Sequence, residues 1–279
     1  MWVFTDTCVK LSGEATIPPY EIVGIVGVIQ VAVTVLMALP RREVKKLWPR
    51  RFGPQFGRAF LSVMINFCNA LALRHLPLTT FYVVIFMMPM LIAILAAVFL
   101  HEKLSWQRIV AIVAGFGGVV YAINPAAPLS AGDLTGYIAL AVSVVASSTN
   151  MVWLRTMTQT ESLGSLVFFS GLVAAIAGLL AMLVHFVPLT DFTVAVLLTA
   201  GLFNVIGNFY NYKALKYTVA ANVSQFHYTQ IITGAIIGYL IWHDVPSLRL
   251  VIGAIIIIAS GLYIAARARK IGKAPLVPL

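Results

Sequence analysis

One apolar stretch of this chain occurs twice. The stretch that begins at Asn66 recurs 142 positions later, where it begins at Asn208. Polar residues keep their offsets in both copies: a second asparagine follows three positions on, and an acidic residue, Glu102 or Asp244, closes each copy. Shared hydrophobicity does not place polar residues at matching offsets, so the sequence indicates a duplicated structural unit.

The composition places this duplicated unit in a lipid bilayer. Of the 279 residues, 61% are hydrophobic and 10% are charged, whereas soluble domains carry about 25% charged residues. The apolar runs approach about 20 residues, which is the length that a helix needs to cross a bilayer. The net charge of +10 would suit nucleic acid, but the cations lie in short loops between apolar runs, which excludes that partner.

Ten apolar segments predict an all-α membrane protein with ten transmembrane helices. They form two five-helix repeats at residues 1–123 and 134–266, with a proline-rich linker at 124–133 and a basic tail at 267–279. The predicted segments are Met1–Leu11, Tyr20–Leu39, Phe56–Leu73, Leu78–Leu100, Gln107–Ile123, Leu134–Leu154, Leu163–Val184, Phe192–Ala214, Val219–Trp242 and Leu248–Ala266.

The charges between the segments predict the orientation. If the loop after the second segment is cytoplasmic, that side holds all of the 19 lysines and arginines except Lys10, Arg74 and Arg249. This asymmetry follows the positive-inside rule and places both termini in the cytoplasm, which suits a bacterial cytoplasmic (inner) membrane. Because each repeat holds an odd number of helices, the two repeats are expected to be inverted, as in secondary transporters.

The first segment is shorter than the others. At about 1.5 Å per residue, Met1–Leu11 spans roughly half of a bilayer core. We therefore expect either that the native chain starts upstream of Met1 or that the first helix is truncated.

Two segments carry a polar stripe. Amides in hydrocarbon are costly unless they are hydrogen-bonded or hydrated. The stripe therefore either forms interhelical hydrogen bonds, worth about 0.6 kcal/mol each, or lines a cavity, for which we predict substrate contacts at Asn66, Asn69, Asn204 and Asn208. The residues that share one helical face are Ser62, Asn66 and Asn69 in the third segment and Asn204, Asn208 and Asn211 in the eighth.

Two further segments offer aromatic and polar side chains to an organic solute. The fourth contains Tyr82 and Phe86, and the ninth contains Gln225, His227 and Tyr228. Rings with a polar tip suit flat or amphipathic solutes, so we predict substrate contacts for these five. Ordinary packing is the alternative for each of them.

A proline interrupts the fourth segment. Pro89 lies in its middle, where proline removes one helix hydrogen bond and crowds the carbonyl four residues earlier. We expect a bend that either acts as a gating hinge or fits the neighbouring helices.

Asp6 is an acidic residue predicted to lie inside a spanning segment. A charge at that depth is costly, so it indicates function by default. It either binds a cationic substrate or carries a coupling proton. The structural alternative is a salt bridge with Lys10, one turn further on.

No pattern in the sequence indicates catalysis, a metal or a cofactor. Cys8 and Cys68 lack the CxxC spacing, and the five histidines are scattered along the chain. Enzymes need positioned acid–base or metal groups, so we predict a protein that is not an enzyme, with no catalytic residues, metal or cofactor.

Several short motifs lie along the chain. They are Ala72-Leu73, Leu76-Pro77-Leu78, Pro89, Leu100-His101-Glu102-Lys103-Leu104, Gly115 to Val119, Asn124-Pro125, Tyr228, Gly234, Gly238, Asp244-Val245-Pro246 and Gly253 to Gly261. Together these motifs resemble the ten-helix EamA-type branch of the drug/metabolite transporter superfamily. The resemblance covers essentially the whole chain, with departures at Ile231, which stands where the fourth segment has Pro89, and at Asp244, where glutamate is commoner.

This resemblance implies a secondary active transporter of a small organic metabolite or drug-like solute that works by alternating access. Export of amino acids or related metabolites is the family-level expectation. Expected partners are a small-molecule substrate, membrane lipid, and a coupling proton or counter-solute, with a homodimer through the fifth and tenth helices left open. A passive facilitator or channel is the alternative function, and an intramembrane enzyme is the least favoured one.

Overall fold

The chain folds into helices throughout the part that the structure describes. The computed structural model describes residues 1–40, 42–99, 105–124, 130–218, 223 and 227–271, and it confirms the predicted all-α architecture. A 3₁₀ helix lies at Val44–Leu47. The α-helices are α1 (Trp2–Glu14), α2 (Pro19–Ala38), α3 (Phe52–His75), α4 (Leu78–Ile85), α5 (Met88–Phe99), α6 (Trp106–Ile123), α7 (Ala131–Met157), α8 (Leu163–Met182), α9 (Asp191–Tyr217), α10 (Thr229–Trp242) and α11 (Leu248–Ile271).

The protein is an integral membrane protein. Within the described residues, seven helical runs are long and apolar enough to cross a membrane, namely α2, α3, α4 together with α5, α6, α7, α8 and α9. Two shorter apolar helices follow at Thr229–Trp242 and Leu248–Ile264.

The predicted fourth segment is broken into two helices. α4 ends at Ile85, and α5 begins at Met88. Pro89 has no N–H to donate to the Ile85 carbonyl, and a proline ring crowds the carbonyl four residues before it. The helix is accordingly interrupted just before Pro89, and the chain turns at Phe86 and Met87, where the Met87 N–H donates to the Val84 carbonyl at 3.0 Å.

The second repeat begins with a capped helix. The Ser130 hydroxyl accepts a hydrogen bond from the Asp133 backbone N–H at 3.1 Å, and the Asp133 carboxylate accepts one from the Ser130 backbone N–H at 3.0 Å. This capping box satisfies two free N–H groups of the first turn. α7 therefore starts at Ala131, before the Leu134 that hydrophobicity indicates.

The two repeats pack by exchanging partners. α1, the first helix of the first repeat, contacts α9, the third helix of the second repeat. In the same way α3, the third helix of the first repeat, contacts α7, the first helix of the second. α2 contacts α8, and α6 contacts α11, which pairs second with second and fifth with fifth. Two copies related by a two-fold axis produce this pattern, which confirms the duplicated architecture.

The pair α2 and α8 is the tightest of these contacts. A Cβ atom added to Gly24 would lie 2.9 Å from the Gly178 Cα atom, and one added to Gly27 would lie 2.6 Å from the Ala175 nitrogen. Real Cβ atoms do not approach backbone atoms so closely. Glycine at these positions therefore allows the two helices to meet backbone to backbone.

Candidate functional site

A polar cavity lies between the two repeats. α1, α2 and α3 line it from one repeat and α7, α8 and α9 from the other. Ile85 and Met88, on either side of the break between α4 and α5, also line it, as do His227 just before α10 and Gln230 in its first turn. Its polar lining residues are Thr5, Asp6, Gln30, Ser62, Asn66, Asn69, Ser147, Asn150, Ser170, Asn204, Asn208, Asn211, Tyr212, His227 and Gln230.

The asparagine stripes of α3 and α9 both face this cavity. Asn66, Asn69, Asn204 and Asn208 are among the lining residues. Three of them also make hydrogen bonds at the wall: Asn69 Oδ1 accepts from the Ser143 hydroxyl of α7 at 2.5 Å, and Asn204 Oδ1 accepts from Asn208 Nδ2, within α9, at 2.5 Å. Asn69 thus combines an interhelical hydrogen bond with a place on the lining, because an amide bonded on one side still presents its other atoms to the cavity.

Asp6 of α1 lines the cavity and is held by a tyrosine. The Tyr82 hydroxyl donates a hydrogen bond to Asp6 Oδ2 at 2.6 Å. Lys10 turns away from Asp6, because its Nζ atom donates to the Leu76 carbonyl at 2.9 Å and lies 5.1 Å from the centre of the Trp242 ring. The salt bridge between Asp6 and Lys10 does not form, so the carboxylate stays available to a solute in the cavity.

The predicted aromatic residues lie behind the cavity wall rather than on it. Tyr82, Phe86 and Tyr228 are buried in the largest apolar cluster of the described residues and do not belong to the lining. Tyr82 reaches the site only through its hydroxyl, whereas the Phe86 and Tyr228 rings stack with their centroids 5.1 Å apart. Gln225 lies outside the described residues.

His227 lines the cavity beside an aromatic ring. Its ring centroid lies 4.8 Å from that of Trp2, at an interplanar angle of 31°. Its Nδ1 atom lies 3.4 Å from the side-chain nitrogen of Gln230. Trp2, His227 and Gln230 thus form one polar–aromatic wall.

Several lining residues were missed from the sequence. Gln30 of α2 and Asn150 of α7 are amides inside apolar runs, so the argument used for the asparagine stripes would have found them. Gln30 Nε2 donates to the Val167 carbonyl of α8 at 2.7 Å, whereas the buried Asn150 Oδ1 has no hydrogen-bond partner among the described residues. Ser170 and Tyr212 gave no sequence signal, because small and aromatic residues are common in membrane helices.

A polar cavity enclosed by two helical repeats of a membrane protein is the architecture of a solute transporter. The sequence model of the EamA-like transporter family matches residues 1–124 and again residues 134–266. The chain therefore belongs to the EamA-like transporter family, which is a family of transporters and not of enzymes.

Characterised relatives carry small metabolites. The S-adenosylmethionine uptake transporter of Rickettsia bellii (strain RML369-C) is 29% identical over 188 residues, which cover 67% of this chain and 64% of that protein. The matched stretch thus spans less than two thirds of the relative. The pseudopaline exporter of Pseudomonas aeruginosa (strain UCBPP-PA14) is 24% identical over 253 residues, which cover 88% of this chain and 86% of the exporter.

The fold recurs in solved structures. One crystal structure superposes on this chain with a TM-score of 0.72 at 20% sequence identity, and the superposition covers 97% of this chain and 95% of the other. At that identity the likeness establishes the fold alone.

Proposed function

We propose that this protein is a secondary active transporter that moves a small organic metabolite across the membrane by alternating access. The observation that carries the proposal is the polar cavity between the repeats, to which both repeats contribute equivalent asparagines, Asn66 and Asn208. A site shared by two symmetry-related halves can be opened to either side by the same relative motion of the halves.

Two apolar clusters supply surfaces that could separate in such a motion. Met151 and Leu154 line the cavity and belong to one cluster. Val9 and Ile85 line it and pack against the other, which contains Phe86. In alternating access each cluster closes the cavity while the other opens.

The substrate is proposed to be an amino acid or a metabolite built from one. One relative is by its name an uptake transporter of S-adenosylmethionine, a derivative of methionine, and the other is by its name an exporter, so the direction of transport does not follow from them. Asp6 is a carboxylate on the cavity wall and suits a cationic group of the substrate or a coupling proton. The predicted contacts of Asn66, Asn69, Asn204, Asn208 and His227 would serve the same ligand.

The charge pattern of the loops supports a proposal for the membrane and the orientation in which the protein works. The basic loops favour a bacterial cytoplasmic membrane with both termini in the cytoplasm. Of the described residues, none in α6 or α11 belongs to the cavity lining, so a homodimer through these two helices would leave the transport path unobstructed.

Transport in proteoliposomes tests the proposal. Purified protein in liposomes without ATP should accumulate or exchange at least one radiolabelled compound from a panel of amino acids, their decarboxylated amines and S-adenosylmethionine. Flux that persists but never exceeds equilibrium under a pH gradient, a sodium gradient or counter-solute loading would indicate a passive facilitator instead. No flux of any panel member above that of empty liposomes would overturn the proposal.

A further inference from the structure

The side chain of Arg58 on α3 is buried and has no charged partner in the part of the chain that the structure describes. It is fully shielded from solvent. One guanidinium nitrogen donates to the Leu166 carbonyl at 2.7 Å and to the Ser170 hydroxyl, and the other lies 3.5 Å from the Tyr212 hydroxyl, which accepts from it. Every one of these acceptors is neutral.

No carboxylate of a described residue compensates this cation. Among the described residues, none places a carboxylate oxygen within 4.0 Å of Arg58, and its buried Nε–H has no hydrogen-bond partner among them. The Leu166 carbonyl belongs to the first turn of α8, an end where the helix dipole is positive and does not stabilise a cation. A buried ion without a counter-ion is costly, so an anion from elsewhere would stabilise the site.

Arg58 is connected to the cavity through its two hydroxyl partners. Ser170 and Tyr212 both line the cavity, and the guanidinium carbon lies 5.7 Å from the centre of the Tyr212 ring. The Ser170 hydroxyl donates to the Leu166 carbonyl at 2.8 Å. The Tyr212 oxygen accepts from Arg58, so its own hydrogen is left to donate to a group inside the cavity.

The positive charge of Arg58 occurs in one of the two repeats only. The position equivalent to Arg58 in the second repeat, 142 residues later, is Ala200. The neutral amides of the cavity follow the duplication, whereas Arg58 breaks it. Because this charge is present in one repeat only, the two ends of the cavity differ in charge. Asp6 supplies a charge of opposite sign on the cavity wall.

We propose that the Arg58–Tyr212 pair receives the carboxylate of the transported solute. The substrate class is then an amphoteric amino acid derivative, with its carboxylate at the Tyr212 hydroxyl under the field of Arg58 and its cationic group directed toward Asp6. Arg58 acts through Tyr212 and is a specificity-determining positioning residue. This inference rests on the proposed transport function and names the substrate class for it.

Matched pairs of compounds test this assignment. We would measure competition against a bound or transported radiolabelled panel compound by amino acids and by their decarboxylated amines: phenylalanine and phenethylamine, methionine and 3-methylthiopropylamine, and S-adenosylmethionine and its decarboxylated form. The wild type should prefer the carboxylate member by about 10- to 100-fold, which is the range for one charge-assisted hydrogen bond. The preference should fall to near unity in Arg58→Gln and fall partly in Tyr212→Phe.

A matched control separates this role from a structural one. Arg108 of α6 is also buried, its Nε–H has no hydrogen-bond partner within the described ranges, and it is not part of the cavity lining. Arg108→Gln should retain the full carboxylate preference. If Arg58→Gln does not fold, Arg58→Lys and Tyr212→Phe still carry the test, because the first keeps the charge and the second removes one hydroxyl.

The outcomes distinguish this inference from transport itself. Flux with no preference for carboxylates, or a preference unchanged in both Arg58→Gln and Tyr212→Phe, would overturn the assignment and leave transport intact. Carboxylate-selective binding, measured by ligand-induced thermal stabilisation of the purified protein, without any flux would support the assignment and overturn the transport function.

Discussion

Phe86 and Tyr228 occupy equivalent positions of the two repeats, and their rings stack on each other with centroids 5.1 Å apart. Equivalent residues of two symmetry-related copies touch only where they lie next to the symmetry axis. The axis that relates the repeats therefore lies close to this stack, and in the described residues each of the two lies in a turn beside a helix end. α4 ends just before Phe86, and a turn at His227 and Tyr228 precedes α10.

Truncation of this stack should destabilise the whole protein. Phe86 is fully buried, so Phe86→Ala removes a large ring from a packed cluster and is expected to lower the free energy of unfolding by roughly 3 kcal/mol. Unfolding of the protein solubilised in a mild detergent, monitored by tryptophan fluorescence, measures the change in this free energy. Phe60→Ala is the control, because that ring is 60% exposed and its loss should change stability by less than about 0.5 kcal/mol.

A larger side chain between α2 and α8 should prevent folding. A Cβ atom at Gly178 would lie 2.2 Å from the Gly24 Cα atom, and a backbone contact of this kind cannot be relieved by a change of rotamer. Gly178→Leu should therefore give little or no monodisperse protein in size-exclusion chromatography. Gly117→Leu should behave as the wild type, since no heavy atom lies within 4 Å of a Cβ atom there. Normal yields of Gly178→Leu would contradict the close packing described above.

Removal of the Asp6 charge should uncouple transport from protons. In Asp6→Asn the side chain keeps its size but cannot release a proton, so accumulation driven by a pH gradient should fall to the level seen without a gradient. Solute exchange should continue, with weaker binding of solutes whose cationic group faces Asp6. Tyr82→Phe removes only the hydrogen bond to Asp6 and should shift the pH dependence of flux without abolishing it. Full pH-driven accumulation in Asp6→Asn would rule out a coupling role for this carboxylate.

The two symmetry-related asparagines should make similar contributions to solute binding. Asn66→Ala and Asn208→Ala each delete one amide from the cavity wall, and a hydrogen bond from a neutral side chain is worth about 1 kcal/mol. Each variant should therefore weaken binding of a transported solute by roughly 5-fold in a competition assay. Thr199→Ala on the exposed face of α9, where the hydroxyl donates to the Ala195 carbonyl at 2.8 Å, should leave binding unchanged.

The repeat and its polar stripes could be derived from the sequence for a physical reason. Amides in hydrocarbon are costly, so their positions follow the duplication and predict the cavity face of α3 and α9. The break near Pro89 was likewise predictable, since proline cannot continue the hydrogen-bond pattern of a helix.

Other features depend on distances that a sequence does not contain. Arg58 was counted with the cytoplasmic loop charges, but its side chain is buried inside α3 and contacts α8 and α9. Phe86 and Tyr228 were candidate substrate contacts, and their rings instead pack against each other behind the wall. In each case the deciding fact is which helix of the opposite repeat lies alongside, and hydrophobicity carries no information on that pairing.

The exchange of partners between the repeats also determines when this protein can fold during its synthesis. α1, α2, α3 and α6 each find their most extensive helix contact in the second repeat. In the two-stage view, helices insert first and assemble afterwards. The first repeat therefore enters the bilayer with Arg58 and Asn69 exposed to lipid or to other groups of the same repeat. Their partners lie on α7, α8 and α9 of the second repeat, so final assembly is a late, post-insertion event that involves both halves at once.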